Sequence, residues 1–331
     1  MRICILRLSA LGDIVMCLPL LRTLQKSFPH AKITWMIGKP FYPLLDKIEG
    51  VEFIPISKIK SFKDWLAIKF LLKQREFDVL LACQASFSAH LIYPLIKAKR
   101  KIGYDKFRSK DFHALFIDER IPFKKEHTLE GFLSFAKALS ANSISFDSQI
   151  PLAGEEEKWA EQFEAPYFVI NPCSSKKAKD WNYENYIPII EFVKKKYKLN
   201  PILIGGPADQ IVCSEIQRQT GAINLSGMTS LGQLTALLKN AKFLLSPDTG
   251  PAHIASAIGT PTIGLFAPTS SHITGPYFSK SAVIDKHDEA LKLYGSANEK
   301  KLGWNVRIYH KEAMNLIGVH DVKEKIHLIC P

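Results

Sequence analysis

Short apolar runs alternate with longer segments of mixed polarity along most of the chain. RICILRLS (2–9), KITWMIG (32–38), VEFIPIS (51–57), FDVLLAC (77–83) and RKIGYD (100–105) predict strands. Helical patterns near 14–27, 62–75 and 86–97 separate them, and EHTLEGFLSFAKALSA (126–141) predicts another helix. Pro19 either kinks the first helix or marks its true start. The rhythm breaks over 142–166, a polar stretch with Pro151, Gly154 and Pro166, which predicts a domain connection and a short helix. It then resumes with strands YFVINPC (167–173), NPILIGG (200–206), AINLSG (222–227), KFLLSPD (242–248) and PTIGLFA (261–267). Helices are predicted between them near 183–198, 209–220, 230–240 and 251–258, and one or two short helices close the chain within 311–329.

Apolar strands separated by helices imply parallel sheets covered on both faces. Two such series in succession predict an α/β protein of two doubly wound domains, 1–150 and 151–331, facing a cleft, with the tail returning toward the N-terminal domain. A chain of 331 residues, 47% hydrophobic, is long enough for two cores. In doubly wound sheets, ligands bind beyond the carboxyl ends of the strands. The residues that close the predicted strands are therefore the ones to read for chemistry.

Charge separates the two halves. Residues 1–150 hold 24 Lys+Arg against 14 Asp+Glu, a balance of +10, whereas the remainder holds 20 against 18, or +2. A basic N-terminal half suits an anionic partner (nucleic acid, a phosphorylated sugar or an anionic membrane surface), or serves solubility alone. No RRM, KH or helix-turn-helix signature interleaves with the basic residues, which argues against nucleic acid. The six cysteines show no CxxC spacing and several sit inside apolar runs, the pattern of reduced core thiols in a cytosolic protein. MRICILRLSALGD lacks a long apolar segment followed by a cleavage site, so no signal peptide is expected. No apolar stretch reaches the roughly 20 residues that span a bilayer, so any membrane association is expected to be peripheral.

SPDTGPAHIASAIGTPTIG (246–264) closes a predicted strand with Asp248 and opens a helix with Thr249, Gly250, Pro251 and His253. Proline at the first helical position loses nothing by lacking an N–H. The free amides of Thr249, Gly250 and Ala252, with the helix dipole, form a seat for phosphate, and His253 adds a donor. A capped helix with a core histidine is the alternative. A second strand ends in SSKKAKDW, with Ser174, Ser175 and Lys179 placed to meet a diphosphate, or else a solvated lysine loop. Asp209, in GGPADQ, either accepts from a ribose or base or caps the next helix. In the N-terminal half, LRLSALGDIVM places Ser9, Gly12 and Asp13 after the first strand. Asp13 is either a helix cap or a general base facing the cleft. Lys58, Lys60 and Lys63, and also Lys106 and Arg108, follow other strands and are candidates for an anionic acceptor. No metal site is expected, and DKHDE (285–289) reads as a solvated polar segment. No GxxxxGK[ST], GxGxxG or GxSxG pattern occurs.

ILRLSALGDIVMCLPLLRTLQ and SPDTGPAHIASAIGTPTIGLF strongly resemble the family 9 glycosyltransferases, the ADP-heptose:lipopolysaccharide heptosyltransferases. NPCSSKKAKDW stands where that family carries a Ser/Thr pair, a lysine and a tryptophan. ITWMIGK, KIGYDKFRSKD and HTLEGFLSFAKAL are most similar to the members that add the first heptose to Kdo. The resemblance covers nearly the whole chain. It implies a GT-B fold of two Rossmann-like domains, inversion at the sugar carbon, ADP-heptose as substrate, and no metal or other cofactor. It also implies a Kdo-lipid A acceptor, and a monomer held peripherally on the cytoplasmic face of the inner membrane. Asp13 matches the family's catalytic base. Ser174, Ser175 and Lys179 match donor-phosphate contacts, Lys179 also serving catalysis. Asp248, Thr249, Gly250 and His253 match the motif around the donor. Some members hold the adenosine with a glutamate where this chain has GGPADQ, which leaves Asp209 as the substitute.

Overall fold

The computed structural model describes residues 1–109, 112–302 and 305–330. Lys110 and Asp111 of the KIGYDKFRSKD segment lie outside the described residues. The chain forms two compact units, Met1–Pro151 and Leu152–Pro331.

The first unit holds β1 (Arg2–Leu6), β2 (Lys32–Gly38), β3 (Glu52–Ile56), β4 (Glu76–Leu81), β5 (Lys97–Gly103) and β6 (Glu119–Arg120). They pair in parallel in the order β3-β2-β1-β4-β5-β6. The first and fourth strands are central, and past their N-terminal ends, Ile3–Leu6 and Val79–Leu81, both are apolar and buried, as strands covered on two faces must be. Cys4, Leu6, Met36, Leu80 and Tyr93 lie in one core of this unit.

The helix expected over 14–27 starts at Leu11 and divides at Cys17, giving Leu11–Met16 and Leu18–Ser27. Pro19 falls in the first turn of the second piece, where its missing N–H is harmless. The expected helix over 86–97 is a correction. It reduces to Phe87–His90 and a 3₁₀ turn, Tyr93–Leu95, because Pro94 cannot donate into an α-helix and Lys97 already pairs in β5.

The second unit holds β7 (Tyr167–Ile170), β8 (Asn200–Leu203), β9 (Ile223–Asn224), β10 (Leu244–Pro247), β11 (Thr262–Phe266) and β12 (Ile284–Asp285). These too are parallel, in the order β12-β11-β10-β7-β8-β9. Counted from its own first strand, this is 6-5-4-1-2-3, the reverse listing of the first sheet's 3-2-1-4-5-6. Both sheets are thus doubly wound in the same topology. The 142–166 connection carries one helix, Gly154–Ala160.

In the tail, helix Val319–Ile329 sends Val322 and Ile326 into the core of the second unit. Buried Trp181 fixes the approach by donating from Nε1 to Ile317 O at 2.9 Å. The DKHDE segment is also not the solvated stretch expected. Asp285 ends β12 and accepts from Ser271 N at 2.7 Å and His287 N at 2.8 Å. His287 is buried and opens the helix His287–Tyr294.

Candidate active site

The carboxyl edge of the first sheet is organised around two polar residues that close neighbouring strands. β1 ends at Leu6, and Arg7 turns inward: it donates from Nη1 to Cys83 O at 2.8 Å and lies over the Phe132 ring at 5.3 Å. Its Nη2 binds Asp13 Oδ2. The same Oδ2 accepts from Ala10 N at 3.3 Å, which closes the first turn of helix Leu11–Met16. The capping role read from the sequence position of Asp13 is present. It acts through one oxygen, and the Asp13 side chain keeps 29% of its surface exposed. Gly12 is buried in the same turn.

Gln84 closes the next strand, β4. Its Oε1 accepts from Leu8 N at 2.7 Å and Ser9 N at 3.3 Å. Its Nε2 donates to Ser86 Oγ at 2.8 Å and lies 3.5 Å from Ser9 Oγ. Gln84 thus sets the loop that carries Ser9.

The basic candidates of this unit divide. Lys60, Lys63 and Lys106 are exposed. Arg108, expected on an acceptor surface, is instead committed internally. It pairs with Asp105 through Nε and with Glu126 at 3.2 Å, donates to Pro122 O at 2.8 Å and lies over Tyr104 at 5.5 Å. A guanidinium this occupied braces the loop after β5 rather than reaching for an anion.

The second sheet's carboxyl edge joins the two motifs that the sequence set apart. Lys179 Nζ donates to Asp248 O at 2.7 Å and Asp248 Oδ2 at 3.1 Å. Thr269, in the loop after β11, donates to the same Oδ2 at 2.9 Å. His253 Nε2 stands 3.9 Å from Oδ1, an ion-pair distance longer than a hydrogen bond. Burial would raise the Asp248 carboxyl. The His253 imidazole, the Lys179 ammonium and the Thr269 hydroxyl outweigh it and hold the carboxyl down at about 2. His253 is thus buried beside Asp248, as in the core-histidine alternative.

Thr249 is the residue before helix Gly250–Ala257, and its backbone is extended as in a capping residue. Its side chain makes no capping bond to the helix. Its Oγ1 lies 2.7 Å from Ser246 Oγ and accepts from Asn171 Nδ2 at 2.9 Å, both below in the sheet. The first-turn amides are left without the usual side-chain oxygen, and Pro251 supplies no amide at all. That is the electrostatics of an anion seat.

The SSKKAKDW loop is a correction in part. Ser174 Oγ donates to Lys176 O at 2.8 Å, and Ser174 N donates to Asp180 Oδ1 at 2.6 Å, so this serine shapes its own loop. Ser175 is exposed. Asp209 Oδ2 accepts from Gly206 N at 2.7 Å, the capping alternative. Gly205 must be glycine there, because a Cβ would stand 2.9 Å from the Asp209 Cβ. Among the described residues, no group of three or more His, Cys, Asp or Glu side chains could hold a metal ion.

Four organising residues escaped the sequence reading: Arg7, Gln84, Asn171 and Thr269. Gln84 and Thr269 lie just past the carboxyl ends of predicted strands, the position that could have found them, whereas Arg7 and Asn171 fall inside the predicted runs 2–9 and 167–173.

The model of glycosyltransferase family 9 (heptosyltransferase) matches residues 65–302. A lipopolysaccharide core heptosyltransferase, OpsX of Haemophilus influenzae, is 35% identical, covering 97% of this chain and 94% of its own. The solved structure of a family 9 glycosyltransferase from Veillonella parvula superposes with a TM-score of 0.82 at 18% identity, over 99% of this chain and 97% of that one. The E. coli heptosyltransferase WaaC with ADP-2-deoxy-2-fluoro heptose gives 0.73 at 20% identity, over 99% of both chains. These likenesses identify the fold as GT-B, and the family match and the 35% relative settle the membership: the chain belongs to glycosyltransferase family 9, the heptosyltransferases, and is a glycosyltransferase.

Proposed function

We propose that this enzyme moves heptose from ADP-L-glycero-D-manno-heptose to Kdo of the lipopolysaccharide inner core, on Kdo-lipid A or its phosphorylated form, with inversion at the anomeric carbon. It works as a monomer, peripherally, at the cytoplasmic face of the inner membrane. The donor is supported by the WaaC structure, named for its ADP-fluoroheptose ligand, and the core acceptor by the name of OpsX. Among the described residues no helix is long and apolar enough to cross a membrane.

The observation that carries the reading is Asp13, paired with Arg7 through one carboxylate oxygen and 29% exposed at the carboxyl edge of the first sheet. Among the described residues both bonds to Asp13 end on Oδ2, so Oδ1 is the oxygen offered to a hydroxyl. In this reading Oδ1 takes the proton from the acceptor hydroxyl. The hydroxyl oxygen forms the new bond to the anomeric carbon while the bond to ADP breaks on the opposite face. ADP leaves with the electron pair.

The charge gathering on the diphosphate is met by Lys179 and by the amides of Gly250 and Ala252. These groups are already oriented, so no reorganisation is needed during reaction. Asp248 holds Lys179 at the head of that helix. Ser175 lies in the loop beside it as a further donor to phosphate. On the acceptor side, Ser9, Lys60 and Lys106 meet the anionic sugar. No cofactor is needed, so turnover should survive exhaustive chelation; activity lost to chelator and restored by a divalent cation would add a metal to the mechanism.

The decisive experiment offers ADP-heptose with Kdo-lipid A and, separately, with an acceptor that already carries one heptose. Mass spectrometry should show one heptose added to the first acceptor alone. Transfer only to the second would assign the enzyme to a later core position.

A further inference from the structure

The helix Phe62–Leu72 has two apolar sides and only one of them is packed. Ile68 and Leu72 are buried, and Trp65, half-buried on the same side, donates from Nε1 to Leu91 O at 2.9 Å. On another stripe, Phe62, Leu66 and Phe70 recur at every fourth residue, which places them in line on one face. They are 70%, 43% and 81% exposed. Two phenylalanines and a leucine in a row on the outside of a soluble unit are not ordinary surface. The Phe62 ring stacks on Trp65 at 5.7 Å, so the stripe has a rigid base. The next helical turn, Phe87–His90, adds Phe87, also 67% exposed.

Charge identifies what covers this face. Segment 57–75 carries Lys58, Lys60, Lys63, Lys69, Lys73 and Arg75 against the single acid Asp64. Asp64 is spent inside its own turn, accepting from Lys60 N at 2.9 Å and Ser61 N at 2.8 Å. By helical position Lys69 lies to one side of the Phe62–Leu66–Phe70 stripe, Lys63 to the other, and Lys73 continues its line. All three lysines are exposed. Aromatic and leucine side chains in a line, edged by lysines, are what an anionic bilayer interface accepts: rings enter the acyl boundary while ammonium groups remain among phosphates.

We infer that Phe62, Leu66 and Phe70, edged by Lys63, Lys69 and Lys73, dock this enzyme on an anionic lipid bilayer. The inference deepens the membrane-facing part of the proposed function by assigning its surface. Its basis is this helix, and it does not depend on which sugar is the acceptor.

The test uses the full chain and vesicles of phosphatidylethanolamine with phosphatidylglycerol, against vesicles of phosphatidylcholine, without any sugar substrate. The wild type should co-sediment with the first and not the second. F62S/L66S/F70S should lose at least about tenfold in partitioning, since the buried rings supply the apolar part. K69E/K73E should lose at least about 25-fold, at roughly fivefold per lysine near the surface, and its residual binding should fall less steeply with salt than that of the wild type. Circular dichroism should show both variants folded. Transfer to a water-soluble Kdo acceptor should be unchanged in both, which separates docking from catalysis. Equal binding to both vesicle types, or undiminished binding by either variant, overturns the assignment. So does a wild type that ignores vesicles but sediments as a dimer that F62S/L66S/F70S returns to monomer, since a second copy would then cover the face.

Discussion

The two carboxyl-edge carboxylates, Asp13 and Asp248, stand in sheets of one topology but in opposite physical conditions. Asp13 has a cation on one oxygen, a helix amide on the same oxygen, and 29% of its side chain in solvent. Asp248 has a lysine and a threonine on one oxygen, a histidine facing the other, and only 12% exposure. The first keeps part of its side chain in solvent. The second keeps little, and its charge is spent on holding an ammonium in place. One fold, used twice, thus yields a partly exposed carboxylate in one unit and a buried counter-ion in the other. The bulk charge follows the same division, +10 for residues 1–150 against +2 for the remainder.

Asn at position 13 tests the comparison hardest. Asp13→Asn keeps an oxygen for Arg7 and for the helix amide but cannot take a proton. Turnover should fall by about 10²–10⁴-fold, the usual worth of positioned proton transfer, with ADP affinity nearly intact. Steady-state kinetics beside calorimetric ADP binding would show it. Near-normal turnover would remove Asp13 from the chemistry and erase the contrast.

Lys179→Ala comes next. It removes a preorganised cation from the leaving diphosphate, and kcat/KM for the donor should drop by about 10²-fold. Unchanged donor kinetics would mean that Lys179 serves Asp248 and the fold alone.

Much of this was readable from residue order, for a physical reason. Strands buried on both faces are apolar throughout, so their existence survives any uncertainty about neighbours. Their ends do not: Ala82 and Cys83 are fully buried though β4 stops at Leu81, because the core continues past the ladder. The two-residue strands β6 and β12 left no pattern at all, being recruited by neighbours already in place. At the site, Asp13, Lys179 and Asp248 announced themselves as charges closing apolar runs. Arg7 and Asn171 did not, since each looks like an interruption within a strand. Arg108 was misread because its partner Glu126 is 18 residues away, and only the fold brings the two together.

Acid sharpens the Asp248 side. Its folded carboxyl sits at about 2, below the ordinary 3.8. A depressed carboxyl contributes stability that is fully present above its unfolded value and is lost as pH falls through the folded one. The loss should therefore occur between about pH 4 and pH 2 and amount to about 2 kcal/mol. Melting of wild type and Asp248→Asn should differ at neutral pH and converge near pH 2. Parallel curves across that window would show that Asp248 is not the ion-paired anchor described.

The smallest effect belongs to Asp209, where a cap and a nucleoside contact compete for one carboxylate. Oδ2 is occupied by Gly206 N, and the turn it closes leads straight into helix Gln210–Thr220. If capping is the whole role, Asp209→Ala should cost about 1 kcal/mol of stability. In a unit of this size that lowers Tm by about 2–4 °C. ADP affinity should stay within about twofold, a shift of roughly 0.4 kcal/mol. The comparison that matters is ADP against GDP in the wild type and the variant. A preference for ADP that survives the substitution leaves Asp209 a cap and places base selection elsewhere on the edge. A preference that collapses while Tm holds would make Asp209 a donor contact after all, and would give the second unit a carboxylate as open to ligand as Asp13.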